Sequence, residues 1–374
     1  MTEAFSSIDH LHMAHALQLA ERGLYTTGPN PRVGCVIAHG ERVAGTGFHA
    51  RAGEPHAEVF ALRAAGAAAR GATAYVTLEP CAHFGRTPPC ADALVGAGVA
   101  RVVIAAEDPF PQVAGRGIEK LRAAGIAVES GLLREQAREL NLGFFSRIER
   151  GRPWVRVKLA MSLDGRTALA NGESKWITGA PARADVQHWR ARSSAILTGS
   201  GTVLADDPRL TVRPGDFGAS RADEESDAIP TAPLRVVLDR RLRTPPGSHV
   251  LDADAPTLLM HGSGVAVPAH LAAIERVELP ETGGRLDLAS ALAVLGHRQV
   301  NEVHVEAGPT LGGALLAAGL ADELLLYVAP VLLGDTARPL LQLPPLASMA
   351  ARWNLRVLDQ RMVGADARLR LRPA

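Results

Sequence analysis

A histidine and two cysteines of this sequence have the residue types and the spacing of a zinc site. His56 and Glu58 stand at the predicted start of a helix, Cys81 follows a buried-type strand, and Cys90 precedes the next helix. One imidazole nitrogen and two thiolates are typical zinc ligands, and they leave the fourth tetrahedral position to water. Glu58 is close enough to share the pocket without ligating the metal. The pattern therefore predicts a general acid/base beside a zinc-bound water whose pKa falls to about 7.

The surrounding sequence favours this interpretation over a chance occurrence. A lone His-x-Glu pair is common, and a lone cysteine usually packs as a small apolar residue. Here, however, two of the three cysteines flank one loop, and both predicted helix starts would direct positive dipole ends at the thiolates. Cys35, inside a predicted strand, is interpreted as a packing residue. His83, between the two zinc-site cysteines, is expected to contact substrate or solvent, although it remains an alternative ligand.

A second chemical pattern lies in the sequence VHVEAGPTLGG at residues 303–313. It predicts a strand, a glycine turn and a helix start, which together offer free backbone N–H groups and a positive dipole to a phosphate. Glycines would let this backbone approach a ligand closely, but a tight strand-to-helix turn needs glycine anyway. Because no Gly-x-Gly-x-x-Gly follows a predicted strand, a Rossmann dinucleotide site is not supported.

Apolar runs alternate with helical patterns along most of the chain, which predicts an α/β fold. In the first half, Asp9 is expected to cap a helix that runs to about Gly23, with Leu11, His15, Leu17 and Leu19 near one face. The expected boundary between domains lies within Arg147–Pro153. Other expected helices are 56–70, 116–124, 133–145 and 182–192, with further helices from 89 and 310; expected strands are 33–38, 43–48, 73–78, 101–105, 126–128, 154–160, 195–198, 234–238, 257–260, 303–306 and 323–329.

Composition limits the classes of protein that remain. The 374 residues are enough for two or three domains, with 47% apolar and 21% charged residues and a net charge of +1. This balance favours neither nucleic acid nor a membrane as partner. Three cysteines do not form a disulfide framework, the first residues lack the features of a signal peptide, and the longest apolar run, Leu324–Leu333, is too short to cross a bilayer. We expect a cytoplasmic protein, with residues 214–233 as an exposed polar insertion.

Several longer strings resemble one enzyme family. The spacing of eight residues between Cys81 and Cys90 departs from the Cys-x-x-Cys of most zinc-dependent nucleobase deaminases. The sequence instead resembles the bifunctional riboflavin-biosynthesis enzymes, in which a diaminohydroxyphosphoribosylaminopyrimidine deaminase is fused to a 5-amino-6-(5-phosphoribosylamino)uracil reductase. The strings that resemble the deaminase half are PNPRVGCV (29–36), GEPHAE (53–58), PCAHFGRTPPC (80–90) and DPFPQVAGRG (108–117). Those that resemble the reductase half are KLAMSLDGRT (158–167), SKWIT (174–178) and TVLADDP (202–208).

This resemblance implies a fold, an activity and two cofactors. It implies a cytidine-deaminase-like three-layer α/β/α domain over residues 1–147 and a dihydrofolate-reductase-like α/β domain over residues 152–374. One Zn²⁺ per chain would serve hydrolytic deamination of 2,5-diamino-6-(5-phosphoribosylamino)pyrimidin-4(3H)-one. NADPH would then reduce the ribosyl group to give 5-amino-6-(5-phosphoribitylamino)uracil. The implied partner is a phosphorylated pyrimidine, with no nucleic acid or membrane.

The resemblance also assigns individual residues. His56, Cys81 and Cys90 would bind zinc, Glu58 would carry protons, and Asn30, otherwise a turn residue between prolines, would bind the pyrimidine. NADPH would contact Ala160, Trp176, Thr202, Asp206, Gly308, Pro309, Thr310, Leu311, Gly312, Gly313 and Ala314. The substrate of the reductase half would contact Ser174, Arg190, Leu210, Arg213 and Glu306. Guanidinium groups suit a ribose phosphate, although in a chain so rich in arginine a solvated charge is the ordinary alternative. Trp176 alternatively packs in a core, and Glu306 is a candidate proton donor near the anomeric carbon.

Two other functions remain open from the sequence. A zinc deaminase of another nucleobase, with the second half as a dimerisation or binding module, would not oxidise NADPH. A nucleic-acid-editing deaminase would need a basic stripe near the zinc, and the sequence offers few basic residues there. A homo-oligomer, dimer or tetramer, is expected, with Leu324–Leu333 as the segment that pairs with a second copy.

Overall fold

The computed structural model describes residues 5–82, 89–111, 113–213 and 231–374. His83 and most of the polar stretch 214–233 lie outside these residues. The described residues up to Gly151 form one compact unit, and those from Arg152 to 213 and from 232 onward form a second. The last helix of the first unit runs to Arg150, so it extends through the start of the segment in which the sequence predicts the boundary.

The first unit is a sheet between helices. Helices α1, α2 and α3 span Ser7–Glu21, Ala57–Ala65 and Cys90–Ala97, and α4, α5 and α6 span Arg116–Ala123, Arg134–Leu140 and Leu142–Arg150. Strands β1 to β5 span Gly34–His39, Arg42–Phe48, Thr73–Leu78, Arg101–Ala106 and Ala127–Ser130. The strand order is β2-β1-β3-β4-β5, with the β1–β2 hairpin antiparallel and β3, β4 and β5 parallel. Helices α1 and α5 contact each other and the sheet, whereas α2, α3 and α4 form a separate contiguous group. The result is three layers.

The beginning of α1 differs from the predicted one. Ser6, not Asp9, is the N-cap, and Asp9 is the third helical residue of a capping box with Ser6. The carboxylate of Asp9 also accepts hydrogen bonds from Tyr75 and Arg101, at 2.9 and 2.6 Å. The buried face of α1 is formed by residues such as Met13, Ala16 and Ala20, whereas Leu11, which the sequence pattern placed on one face with Leu19, is 61% exposed.

The helix predicted over 133–145 is two helices, because Asn141 interrupts it. The side chain of Asn141 pairs with the main chain of Arg32, accepting from its N–H at 2.8 Å and donating to its carbonyl oxygen at 2.9 Å. These two bonds hold the end of α5 to the segment that follows Asn30. A contact more than a hundred residues away in sequence therefore decides where the helix breaks.

A close approach of backbone atoms positions the helix that follows His56. A Cβ at Gly47 in β2 would lie 2.3 Å from the carbonyl oxygen of Ala57, so only glycine allows α2 to pack this near to the strand. His56 is the N-cap of α2 and is held with it.

The second unit is built on a larger, mostly parallel sheet. Helices α7 to α10 span Ala180–Ala191, Ser200–Asp206, Leu288–His297 and Pro309–Ala317. Strands β6 to β18 span Trp154–Ser162, Arg166–Ala168, Ala195–Gly199, Leu234–Leu238, Thr257–Gly262, Glu275–Leu279, Glu281–Thr282, Arg285–Leu286, Glu302–Glu306, Glu323–Ala329, Arg338–Pro339, Leu355–Val363 and Asp366–Pro373. The sheet order is β11-β10-β9-β8-β14-β6-β15-β18-β17, parallel from β11 to β15 and antiparallel beyond.

One face of the central strands in this sheet is charged. Arg156 of β6 is fully buried and pairs with Glu302 at 3.0 Å and Glu323 at 2.7 Å. Its guanidinium lies 4.6 Å from the ring centre of Trp189 in α7, and Trp189 itself is mostly buried. The residues of β6 that point to the opposite face of the sheet, such as Val155 and Val157, belong to the apolar core. The alternation along β6 thus separates a hydrophobic layer from a layer of ion pairs.

Several predictions for this half need correction. The segment Leu324–Leu333 is mainly the core strand β15, in which Leu324 and Leu325 are buried, so most of it is not available to a second copy. The sequence patterns missed α8, α9 and the hairpin of β17 and β18. No helix among the described residues combines the length and apolar character of a membrane span.

Candidate functional site

The three predicted zinc ligands converge in the first unit. His56 caps α2, Cys90 is the first residue of α3, and Cys81 lies three residues beyond the end of β3. The Nδ1 atom of His56 is 3.2 Å from the Sγ of Cys90 and 3.7 Å from the Sγ of Cys81. All three ligand atoms lie within 4.8 Å of one another.

These distances fit one tetrahedral zinc ion. With Zn–N and Zn–S bonds of about 2.0 and 2.3 Å, two ligands at the tetrahedral angle have their N and S atoms about 3.5 Å apart. The observed separations of 3.2 and 3.7 Å bracket this value. One imidazole and two sulfurs are also the ligand chemistry that zinc prefers. The residues present therefore suit the metal in both geometry and donor type.

The protein prepares a thiolate at this position. A hydrogen bond from the Cys90 thiol is the largest cause that lowers the pKa of Cys81 to about 4, and His56 and the Cys90 main-chain N–H add to it. That N–H lies at the start of α3 and is 3.3 Å from the Cys81 Sγ. Interaction with the Cys81 sulfur correspondingly raises the pKa of Cys90. The start of α3 thus stabilises the Cys81 thiolate through a direct hydrogen bond, as the sequence predicts for a helix N-terminus.

Glu58 has the surroundings of a proton carrier. It is 3% exposed, and within the described part of the chain its Oε2 atom has no hydrogen-bond partner. Burial raises the pKa of Glu58 to about 7, although the nearby His56 opposes the shift. A carboxyl group with a pKa near neutrality exchanges protons readily in both directions, as a general acid/base must.

Asn30 lies beside the ligand group through His49, a residue that the sequence analysis missed. The Nδ2 atom of Asn30 is 3.1 Å from the Nε2 of His49, whose Nδ1 lies 3.2 Å from the carbonyl oxygen of Pro55. The ring of His49 meets that of His56 edge-on, with centroids 5.3 Å apart. Burial lowers the pKa of His49, which favours the neutral ring that accepts from Asn30 and donates to Pro55. His49 directly follows strand β2, and this position of a histidine at the end of a strand is the sequence signal that could have identified it.

In the second unit, the predicted cofactor residues gather at one edge of the sheet. Helix α8 follows β8 and carries Thr202 and Asp206, and α10 follows β14 and begins after Gly308. Strands β8, β14 and β6 are parallel neighbours, so their carboxyl ends meet at this edge. Ala160 lies near the carboxyl end of β6.

The glycines of the 308–313 turn have different roles. A Cβ at Gly308 would meet open space, which leaves this backbone accessible to a ligand. A Cβ at Gly313 would lie 2.1 Å from the carbonyl oxygen of Gln342, and one at Gly312 would lie 3.0 Å from Leu341. Gly313 is therefore needed for packing against the backbone, whereas at Gly312 the side chain of Leu341 would have to shift. The hydroxyl of Thr310 is also engaged, donating to the Gln342 side chain at 2.7 Å.

Two predicted substrate residues form an ion pair with each other. Arg190 donates to both carboxylate oxygens of Glu306, at 2.5 and 2.9 Å, and to the carbonyl oxygen of Thr211 at 2.7 Å. Burial alone would raise the pKa of Glu306, but Arg190 lowers it well below the usual value. Glu306 is consequently ionised in this arrangement. The pairing also holds Arg190 beside the segment that carries Leu210 and Arg213.

Two further titratable groups face this pair. Lys158 lies opposite Glu306 in the β6–β14 register, and burial lowers the pKa of its ammonium group. His304, fully buried on β14, has its Nε2 atom 3.4 Å from Glu306, and burial lowers the pKa of its ring. Lys158 belongs to a string that carried the resemblance but was given no role. The sequence signal that marks Lys158 is a charged residue within a predicted strand, where its neighbours, Val157 and Leu159, are apolar.

The remaining predicted residues are less closely connected. Arg213 is held by its main-chain N–H, which donates to Gln187 of α7 at 3.0 Å, and Leu210 is buried. Trp176 is 67% exposed and its ring lies 4.5 Å from the guanidinium of Arg183, so it is not a core residue. Ser174 is half-buried two residues before it.

Comparison with known proteins identifies both units. The cytidine and deoxycytidylate deaminase zinc-binding region matches residues 6–106, and the RibD C-terminal domain matches residues 153–367. The fold and the matches together define a two-domain enzyme, a zinc-binding deaminase followed by a reductase with a dihydrofolate-reductase-like fold.

Full-length relatives give the family. The chain is 50% identical to the riboflavin biosynthesis protein RibD of Escherichia coli, over 97% of the chain and 99% of that protein. It is 48% identical to the RibD of Haemophilus influenzae, over 99% and 98%. The structure of Acinetobacter baumannii RibD superposes with a TM-score of 0.88 at 47% identity, and that of a Thermotoga maritima deaminase/reductase with 0.84 at 31%, each covering 98% of this chain and 99% of the other.

The chain belongs to the RibD family. It is a bifunctional deaminase and reductase of riboflavin biosynthesis, which uses Zn²⁺ and NADPH and acts on a small pyrimidine. The fold class, activity and cofactors expected from the sequence are thereby confirmed.

Proposed function

We propose that the first unit deaminates 2,5-diamino-6-(5-phosphoribosylamino)pyrimidin-4(3H)-one and that the second reduces the ribosyl group of the product to give 5-amino-6-(5-phosphoribitylamino)uracil. The single observation that carries the proposal is the convergence of His56, Cys81 and Cys90 beside the buried carboxyl group of Glu58. The division near residue 151 and the two family matches support one active site in each unit.

His56, Cys81 and Cys90 would hold the zinc ion, which when bound supplies a Lewis acid that lowers the pKa of water. Glu58 takes a proton from the attacking water and passes it to a ring nitrogen. Glu58 then takes the second proton, from the hydroxyl group now bound to the ring carbon, and gives it to the departing amine, so that a carbonyl forms and ammonia leaves. The raised pKa of Glu58 suits both steps, because the group must accept and then release a proton near neutral pH.

Asn30 is proposed to orient the pyrimidine. Its Nδ2 group is committed to His49, and among the described residues its Oδ1 has no donor. A free amide oxygen fixed by a buried histidine suits an N–H or NH₂ group of the ring. Asn30→Ala would accordingly raise KM for the deamination substrate, whereas zinc content would stay at one ion per chain.

In the second unit, NADPH when bound supplies a hydride to the anomeric carbon of the ribose. The bond from that carbon to the ring oxygen breaks, and the ring oxygen takes up a proton. Arg190 and Arg213 are proposed to bind the ribose phosphate. When the phosphate draws Arg190 away, Glu306 loses its counter-ion, and its pKa rises. Glu306 then takes up a proton from water and delivers it to the ring oxygen. Ala160, Trp176, Thr202, Asp206 and the turn that begins at Gly308 are proposed to contact the cofactor.

The decisive test uses the purified chain. Incubated with the diaminopyrimidine, it releases one ammonia per substrate, and NADPH is then oxidised in equal amount. Deaminated substrate given directly is reduced at the same rate by the Glu58→Gln variant. Deamination without any NADPH oxidation would instead support a deaminase whose second unit only binds or dimerises.

The setting of the enzyme is also a proposal. A cytoplasmic location suits an enzyme that needs NADPH and the unoxidised thiols of Cys81 and Cys90. A homo-oligomer is proposed because apolar residues of the edge strand β17 are exposed, among them Val357 at 54% and Met362 at 64%. Light scattering on the purified protein tests this, and a mass of one chain would refute it. No nucleic acid partner is proposed.

A further inference from the structure

A buried carboxylate beside the zinc ligands has no role in the chemistry described above. Glu79 lies directly after β3 and two residues before Cys81, and it is 4% exposed. Its Oε1 atom accepts hydrogen bonds from the main-chain N–H groups of Gly117 and Ile118, at 2.9 and 3.3 Å. Its Oε2 atom accepts from Asp108 and Gly115, at 3.3 and 3.0 Å. One side chain thus receives four main-chain donors from a single distant segment.

Three of these donors lie between the end of β4 and the first turn of α4, and the fourth, Ile118, follows directly in α4. The loop of residues 107–117 contains the string DPFPQVAGRG that resembles the enzyme family but receives no role from the reaction. Helix α4 has no side-chain cap of its own, because its N-cap is Gly115. The carboxylate of Glu79 takes the place of that cap, and the positive end of α4 favours its charge.

The loop is also packed directly on the chain next to Cys81. A Cβ at Gly117 would lie 2.0 Å from the carbonyl oxygen of Pro80, so only glycine fits there. On its other side, Cys81 is bound by α3, whose Ala91 N–H donates to the Cys81 carbonyl oxygen at 3.2 Å. Cys81 is therefore held between α3 and the 107–117 loop, and Glu79 is the side chain that fastens the loop.

We propose that Glu79 is a positioning residue of the deaminase, which fixes the Glu79–Cys81 segment so that the Cys81 sulfur meets His56 and Cys90 in the zinc geometry. The proposal rests on the zinc-dependent deamination proposed above. A buried carboxylate needs compensation for its lost hydration, and the four N–H groups provide it only while the loop keeps its present conformation. Loss of these bonds would leave the loop and Cys81 free to separate.

The test compares Glu79→Gln with a matched variant, Asp9→Asn, in the full chain. Asp9 is likewise a buried carboxylate of the first unit, but its partner Arg101 begins β4, at the opposite end of the strand from the 107–117 loop. In Glu79→Gln an amide NH₂ group replaces one carboxylate oxygen. Two main-chain N–H groups then face a donor and lose their acceptor. Loss of a group that orients a metal ligand typically weakens metal binding about 10–100-fold.

Zinc affinity is measured by competition with a chromophoric chelator, and the reductase rate of the same sample reports intact folding of the second unit. We expect Glu79→Gln to bind zinc at least tenfold more weakly. For deamination, the factor by which kcat falls should exceed the factor by which KM changes. Asp9→Asn should lower the melting temperature but bind zinc like the unaltered chain. Cobalt in place of zinc should give an altered thiolate absorption only in Glu79→Gln.

A second variant keeps the proposal testable if Glu79→Gln folds poorly. Gly117→Ala leaves the carboxylate intact but pushes the loop away from Pro80, and it should weaken zinc binding in the same way. Unchanged zinc affinity in both variants, with only a lower melting temperature, would overturn the proposal. If the unaltered chain bound no zinc, the proposed deaminase function itself would fail, and the two failures are thereby distinguished.

Discussion

Replacement of Glu58 by glutamine tests the proposed proton carrier most directly. Glutamine has nearly the same volume and stays uncharged, so His56, Cys81 and Cys90 should keep their arrangement and the zinc content should remain one per chain. General acid/base catalysis contributes about 10²–10⁴-fold for one positioned group. Because Glu58 serves both the attack of water and the departure of ammonia, we expect kcat of deamination to fall about 10⁴-fold, or about 5.5 kcal/mol.

The same substitution should stabilise the metal-free protein. Burial raises the pKa of Glu58 from 4.5 to about 7, so the folded state disfavours the ionised carboxylate. This penalty is absent below pH 4.5, grows as pH rises towards 7, and reaches about 3 kcal/mol above it. Glu58→Gln removes the penalty, so at pH 8 the chelator-treated variant should unfold at higher denaturant concentration than the unaltered chain, whereas at pH 4 the two should be equal.

Three measurements on one preparation decide the matter. Ammonia release gives the deaminase rate, NADPH oxidation with deaminated substrate gives the reductase rate, and metal analysis gives the zinc content. Deamination within tenfold of the unaltered rate would refute the assignment of Glu58. Loss of zinc would show that the carboxyl group supports the ligands, and joint loss of both activities would contradict two separable sites.

The remaining predictions concern the ligands, the phosphate and the first helix. Cys81→Ala and Cys90→Ala should each lose zinc and deamination yet reduce the deaminated substrate normally, and zinc retained by both variants in metal analysis would refute the ligand set. Arg213→Ala should raise KM for the phosphorylated substrate about 10–100-fold with little change in KM for NADPH, because a charged hydrogen bond to phosphate contributes about 1.5–3 kcal/mol. The opposite ranking in steady-state kinetics would place Arg213 at the cofactor. Asp9→Asn should destabilise the first unit by about 2 kcal/mol at pH 7, since it breaks a largely buried ion pair with Arg101 and alters the capping box. Arg101 and the cap of Ser6 outweigh burial and hold the pKa of Asp9 below its ordinary 3.8, so this stability is present above pH 3.8 and is lost at lower pH; denaturation curves that differ equally at pH 7 and pH 2 would contradict this.

The local sequence determined most of the elements near the first site and the chemistry they carry. Strand β3 has the predicted bounds, Thr73–Leu78, because a short apolar run between turn residues has few alternatives. The types and order of His56, Glu58, Cys81 and Cys90 indicated zinc and a proton carrier, since few other sets of side chains serve hydrolysis at a metal. The resemblance then supplied the pyrimidine, the cofactor NADPH and the second activity.

Tertiary structure decided what distant residues do to one another. Asn141 ends α5 because the main chain of Arg32 is there to bind it, and no helix propensity contains that contact. Arg190 and Glu306, predicted as separate substrate contacts, hold each other across 116 residues of sequence. Glu79 was overlooked because one acidic residue after a strand is unremarkable until four N–H groups surround it. Hydrogen bonds and ion pairs depend on distances in space, and the chain sets those distances only once it has folded.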